Sequence, residues 1–455
     1  MDLEAQRVTA IKTATPFQNN NGEVPPEGYG SFVLSHDWPT TAPPPLADAP
    51  WRDAIGGGLI TVDNASAYAE ALKAAVAAPG TALFTQGNGF DAPGAGWYNE
   101  PWTGSLREPI QGTYPAGEFG PAVFPGTGLK TDFQTHVLTY YDQRAAYTLY
   151  NVWNTDAMNP KVETARTQFA EGSIIVKAAV FTSTDPTMPT DWWDAISGAQ
   201  AWNLFIPVKD GGPSQVWPGY VVQFDIIVKD SKSAPDTGWV FTTLVYDSSI
   251  QSDNIWDKMV VLGAQWGNDP QASKPGDVLT QNWINPDAPA YAKMTLGPND
   301  RLSGPNDGAR NNIAFCTDAD NCGEPQDNVP DSSCMSCHST AQWNPKLNRM
   351  PSFLLPSFPT DSAPYFKLCG PNGDYICSPI AGSAGWMKWF QNRLGTVPMD
   401  EGSVAGDFDE VLTFKSLPLW YAATNPASDV PLLTRQMFAA RQYNQYTGAP
   451  LKNEK

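Results

Sequence analysis

The chain has 455 residues, too many for one ordinary core, so two or three packed regions are expected. Its formal charge of -19 excludes a surface that neutralises nucleic-acid phosphates, and no stretch reaches the roughly 18 apolar residues of a membrane span. Charged residues make up only 16%, while 38 Gly, 42 Pro and 17 Trp point to turns, extended loops and an aromatic-rich interior.

Three regions follow in chain order. Residues 1–130 are irregular and rich in Pro, Gly and aromatic residues. One helix is predicted over Ala65 to Ala78, with Asn64 as N-cap and Pro79-Gly80 as its stop. Residues 131–268 form a β region. Strands are predicted at Tyr147–Trp153, Gly172–Phe181, Ala201–Pro207, Tyr220–Lys229 and Gly238–Tyr246, each dense in β-branched and aromatic residues. They imply an antiparallel sheet covered on one face. Residues 269–455 begin with an Asn/Asp/Pro-rich stretch and hold two predicted helices, Ser383 to Leu394 and Leu432 to Gln445. The fold class expected is α+β: an antiparallel sheet domain with few flanking helices, long irregular segments and a C-terminal haem-binding region.

The chemistry is concentrated at Cys334-Met-Ser-Cys-His338. Two thiols three residues apart lie on one side of a helical turn, where both can add to porphyrin vinyl groups. The imidazole that follows is placed to ligate the iron. A zinc site would need a second Cys or His pair, and the other histidines, His36 and His136, are isolated in the sequence. A thioredoxin-like pair would need a strand–CxxC–helix pattern, which is absent. The expectation is one covalent haem c held by Cys334 and Cys337, with His338 as proximal ligand. Met350 and Met399 are the candidate distal ligands, and core packing is the rival role for each. His136 is a further distal candidate. Without any of these the iron is five-coordinate and open to small molecules.

Cys316, Cys322, Cys369 and Cys377 remain, an even number in an oxidising compartment. Local pairs, Cys316–Cys322 and Cys369–Cys377, are expected, the other connectivities staying open. Asp318-Ala-Asp-Asn-Cys-Gly323 loosely resembles a calcium loop but lacks the later bidentate Glu. Met1 to Asn20 has no apolar signal-peptide core, although haem attachment implies export. A mature periplasmic or secreted chain is therefore expected, with or without a replacement initiator Met.

Leu149-Tyr-Asn-Val-Trp153, Phe169-Ala-Glu-Gly-Ser-Ile-Ile-Val-Lys177 and Val228-Lys-Asp-Ser-Lys-Ser-Ala-Pro-Asp-Thr-Gly-Trp239 are similar, in that order, to the cytochrome c′-beta family. The resemblance spans roughly residues 130–340. It implies a β-sheet haem pocket upstream of the attachment motif, with His338 proximal and a distal face often without a protein ligand. Members bind nitric oxide or carbon monoxide, and hydroxylamine-oxidising relatives carry a lysine cross-link to the haem. Lys177 is the first lysine to test for that role, with an ordinary strand position as its rival. The stretch from Asn299 to Pro305 (NDRLSGP) also resembles segments ahead of the motif in longer bacterial c-type cytochromes.

Three functions follow as expectations. The first is single-electron exchange with a redox partner, steered toward a basic one by the acidic chain. The second is binding or conversion of nitric oxide, hydroxylamine or peroxide at open iron, which leaves enzymatic turnover undecided. The third is a haem-bearing subunit of a larger assembly, docked through residues 1–130. Cys334→Ala or Cys337→Ala is expected to weaken haem attachment. Acid acetone should leave the haem on the wild-type protein, and its release there would contradict covalent attachment.

Overall fold

The computed structural model describes residues 3–185, 187, 192–208, 212–306, 310–317, 321–346, 368–369 and 375–425. Its strands in chain order are β1 Trp97–Tyr98, β2 Tyr114–Phe119, β3 Phe133–Asp142, β4 Ile174–Thr182, β5 Ala201–Pro207, β6 Ser214–Lys229, β7 Trp239–Tyr246, β8 Met259–Gln265 and β9 Asn282–Ile284. These pair antiparallel in the order β1-β3-β4-β6-β7-β8-β9, with β2 also on β3 and β5 also on β6. The sheet therefore draws strands from all three regions of the sequence. Later come β10 Arg310–Cys316, β11 Gln326–Pro330, β12 Gln342–Trp343, β13 Leu368–Cys369, β14 Tyr375–Pro379 and β15 Val404–Ala405. Strands β11, β10, β14 and β13 make a small second sheet, in which β10 and β14 run parallel. The architecture is mixed: a large antiparallel sheet, few helices and long connections.

The large sheet is covered on both faces at its centre, not on one. Every residue of β7 is buried, as is the second half of β6. Such two-sided burial explains why these strands read as nearly continuous apolar runs rather than as alternating ones. One face carries Phe224, which packs edge-on against Phe84 at 5.4 Å and Trp256 at 5.3 Å. The helices Ala65–Ala75 and Ala77–Gln86 cover this side. The opposite face carries the row Tyr141, Ile175, Ile227, Phe241, Gln265, aligned across five strands by their register. The segment with the Cys-x-x-Cys-His motif covers that side.

Two predicted elements differ. Tyr147–Trp153 lies in a helix, Gln143–Trp153, rather than a strand. The Asp142 side chain accepts from Ala145 N, and Ala145, Leu149, Val152 and Trp153 bury one helical face. The aromatic content of the segment suggested a strand, but its apolar spacing is helical. Pro79-Gly80 does not stop the first helix, which ends at Ala75 and continues after Val76 as a second. Pro79 falls in the first turn of that helix, where its missing N–H needs no partner. Gly80 is there for closeness, because a Cβ would run into the Trp256 ring. Asn64 sits at the N-cap position, but its side chain bonds back to Thr61 N and Leu59 O. The helix predicted from Ser383 is shorter, Ala384–Trp389, and Ser383 does cap it. Residues 432–445 lie outside the described residues. Among the described residues no helix is long and apolar enough to cross a membrane.

The N-terminal region is tied to the sheet by charge as well as packing. Arg52 bonds the fully buried Asp230 at 2.8 Å and Glu171 at 2.7 Å, and Tyr68 donates to Asp230 at 2.7 Å. These bonds hold the Asp230 carboxyl below its ordinary pKa despite its burial. Removing one partner leaves a buried charge short of its match, so Arg52→Met should cost roughly 3 kcal/mol in urea unfolding. The depressed pKa means Asp230 stabilises the fold above about pH 4 and less as pH falls. The penalty of Arg52→Met should accordingly shrink in acid.

Candidate functional site

Cys334–His338 forms one short helical turn. Ser333 caps it by a reciprocal box: its hydroxyl accepts from Ser336 N, and Ser336 Oγ accepts from Ser333 N. Three further bonds fix the turn on the sheet. Gln265 Oε1 accepts from Met335 N at 3.0 Å, Gln265 Nε2 donates to Ser333 Oγ at 3.2 Å, and Leu302 O accepts from Cys334 N at 2.9 Å. Leu302 belongs to the Asn299–Pro305 stretch noted in the sequence. Beyond the turn, the buried Arg393 donates to Ser339 O at 2.8 Å. Cys334 is buried in the main core, whereas Cys337 is half-buried in a second cluster built on Ile313, Ile376, Trp386, Trp389 and Phe390.

The His338 ring lies 4.8 Å from Phe241, a member of the five-strand row. Its Nδ1 is 2.8 Å from Phe408 O. A carbonyl only accepts, so Nδ1 carries a proton, and in the neutral ring the lone pair is on Nε2. Glu410 Oε2 is 3.6 Å from Nε2. This donor set fits a haem c. Two cysteines stand three apart on one capped turn, and the imidazole after them is oriented through Nδ1, with Nε2 available to a metal.

The orienting carbonyl comes from a strained segment. Asp407 and Phe408 have φ of 48° and 68°, a conformation uncommon for residues other than glycine. Asp407 is fully buried; its Oδ1 accepts from Lys229 Nζ at 2.6 Å and Trp239 Nε1 at 2.8 Å, and its Oδ2 from Phe169 N at 2.8 Å. Lys229 and Trp239 face each other across β6 and β7, one row along from Ile227 and Phe241. Asp409 follows. Its carboxylate accepts from Tyr141 OH at 2.9 Å and from Val411 N and Leu412 N, opening the π-helical stretch Val411–Ser416. Such π-helical stretches recur at functional sites.

Two buried carboxyls meet here. Burial pushes Asp409 up to about 6, against the bonds it accepts. Glu100, fully buried under Trp153 Nε1 at 2.8 Å, is raised by burial and by the Asp409 charge.

The remaining sequence candidates separate clearly. Met399 packs on the same cluster as Cys337. Met350 lies outside the described residues, as do Asp318 and Asp320 of the calcium-like loop. His136 is buried on β3 five positions from Tyr141, so strand alternation puts it on the opposite face of the sheet from His338. That face is not the one on which the Cys334–His338 turn packs. Lys177 pairs with Asp225 at 2.8 Å, on the same face as Phe241 and one row from it. Cys316–Cys322 is a disulfide, as expected. Register sets Cys369 opposite Tyr375, two residues from Cys377, but the Cys369 side chain is outside the described residues.

The segment Asp407-Phe-Asp-Glu410 was not anticipated from sequence. Its only signal was an Asp just ahead of the apolar run Val411-Leu-Thr-Phe414, the pattern of a helix start. No family model matches the chain, no curated protein matches it, and no solved structure matches it.

The raised pKa of Asp409 has a stability consequence. The folded state holds its proton more tightly than the unfolded chain, whose Asp titrates near 3.9. Stability should therefore decline as pH rises from about 4 to about 6. Asp409→Asn keeps an acceptor for Val411 N and Leu412 N, and should flatten this limb in chemical denaturation across that range.

Proposed function

We propose that the chain is an exported monohaem c-type cytochrome working in single-electron transfer. One observation carries the proposal: the Cys-x-x-Cys-His sequence is a capped helical turn whose imidazole is oriented by a backbone carbonyl on Nδ1. Cys334 and Cys337 would hold the haem through thioether bonds, and His338 Nε2 would ligate its iron. The bound group supplies a one-electron couple.

The chain's own residues determine how that couple is housed. Gln265, Leu302 and Arg393 hold the attachment turn against the sheet. Phe241 packs on the imidazole at 4.8 Å and is backed by the Phe408 ring at 6.1 Å. Met399, on the cluster that also receives Cys337, is the distal ligand of this reading. The Cys316–Cys322 disulfide accords with a periplasmic or secreted chain. The charge of -19 favours a basic redox partner. The β-sheet face behind the motif is the arrangement that resemblance to the cytochrome c′-beta family would call for, and that kinship remains part of the proposal.

The absorption spectrum tests this reading. The purified protein should show a c-type reduced spectrum that is low-spin and unchanged by carbon monoxide. Met399→Ala should convert it to a high-spin form that binds carbon monoxide. A wild-type spectrum that shifts with carbon monoxide would overturn the Met-ligated carrier. It would favour open iron that binds nitric oxide, hydroxylamine or peroxide.

A further inference from the structure

We propose that Asp407 is a positioning residue for His338, acting through Lys229, Trp239 and Phe169 to hold the carbonyl that sets the imidazole. This inference rests on the haem reading above.

The Phe408 carbonyl reaches His338 Nδ1 only because two successive residues adopt left-handed backbone. Such backbone is strained for non-glycine residues, so surrounding contacts must impose the turn. Asp407 supplies them. Its carboxylate is fully buried and takes three donors, two of them fixed at the end of the most deeply buried strand pair. The Lys229 ammonium also lies 5.1 Å from the Trp239 ring centre, so cation and indole form one unit facing the carboxylate. The chain leaves room for this group at Gly395, where a Cβ would overlap Asp407 Oδ1.

The consequence falls on the ligand. A proton held on Nδ1 by a carbonyl fixes the tautomer and makes Nε2 more basic. A more basic ligand favours the oxidised metal. Loosening the Asp407 anchor therefore weakens the Nδ1 bond and raises the reduction potential. An Asn at 407 cannot substitute, although it has the same shape. Its single oxygen faces donors at both carboxylate positions, so its amide must oppose at least one of them.

The test uses holoprotein carrying Asp407→Asn, Lys229→Met or Lys229→Arg. Acid acetone first establishes that haem is covalently attached in each. In Asp407→Asn and Lys229→Met the oxidised-to-reduced ratio at fixed ambient potential should fall about tenfold, equivalent to about +59 mV in midpoint for one electron. The His338 Nδ1–H should exchange faster with solvent by NMR. Lys229→Arg keeps the charge and should stay near wild type in both readouts. If Asp407→Asn does not accumulate, Lys229→Met decides alone. Lower thermal stability with wild-type potential and wild-type exchange would make Asp407 merely structural and overturn the proposal. Release of haem from the wild type would overturn the haem reading itself, a failure distinct from this one.

Discussion

Strand alternation is the constraint on which the site depends. Because the central strands pair in continuous register from Tyr141 to Gln265, one row of side chains reaches across five strands on a single face. Tyr141 meets Asp409, Phe241 meets His338, and Gln265 meets the Cys334–His338 turn. One row along, Lys229 and Trp239 meet Asp407. A slip of one residue in β7 would turn Phe241 and Trp239 to the helix-covered face and remove both the imidazole's packing partner and an anchor of its orienting carbonyl. Register in this sheet thus sets the surroundings of His338 as well as stability. Burial on both faces makes such a slip costly.

Much of the framework was legible in the sequence, and the reason is physical. Val, Ile and aromatic runs such as Gly172–Phe181 and Gly238–Tyr246 have few alternatives to a buried strand. The Cys334–His338 turn was visible because its chemistry demands fixed spacing. Tyr147–Trp153 misled because aromatic residues suit both strands and helices, and the helical spacing of its apolar residues, with the cap at Asp142, distinguishes them. His136 was a candidate ligand whose face was set only by β3. The Asp407–Glu410 segment was invisible for a different reason. Its conformation is imposed by partners far along the chain, so no local pattern encodes it.

Those distances bear on how the site forms. The bond from His338 to Phe408 spans 70 residues, Lys229 to Asp407 spans 178, and Tyr141 to Asp409 spans 268. Closing such loops costs entropy before any contact offsets it, so these bonds belong to a late stage of folding. The Cys334–His338 turn differs. Its capping box is local, although its bond to Gln265 spans 70 residues, as many as the bond from His338 to Phe408. The sheet and the capped turn can therefore form before the 407–416 segment docks.

In the proposed haem protein, that order would separate attachment from tuning. The cysteines depend on local geometry that the sheet supports early, whereas the imidazole acquires its carbonyl partner only when Asp407 reaches Lys229 and Trp239. The same docking buries Asp409 near Glu100, where burial raises both carboxyls and the Asp409 charge raises Glu100 further. Two acids drawn into a low-dielectric interior are unfavourable by themselves. They are held by Tyr141, Trp153 and two backbone amides of the π-helical stretch, so this polar cost is met at the element that orients the ligand. Asp409 lies close enough to interact electrostatically with His338, and a charge inside the protein is screened poorly by salt outside it. The field around His338 is accordingly a property of the fold's interior, fixed by the same rows that fix its position.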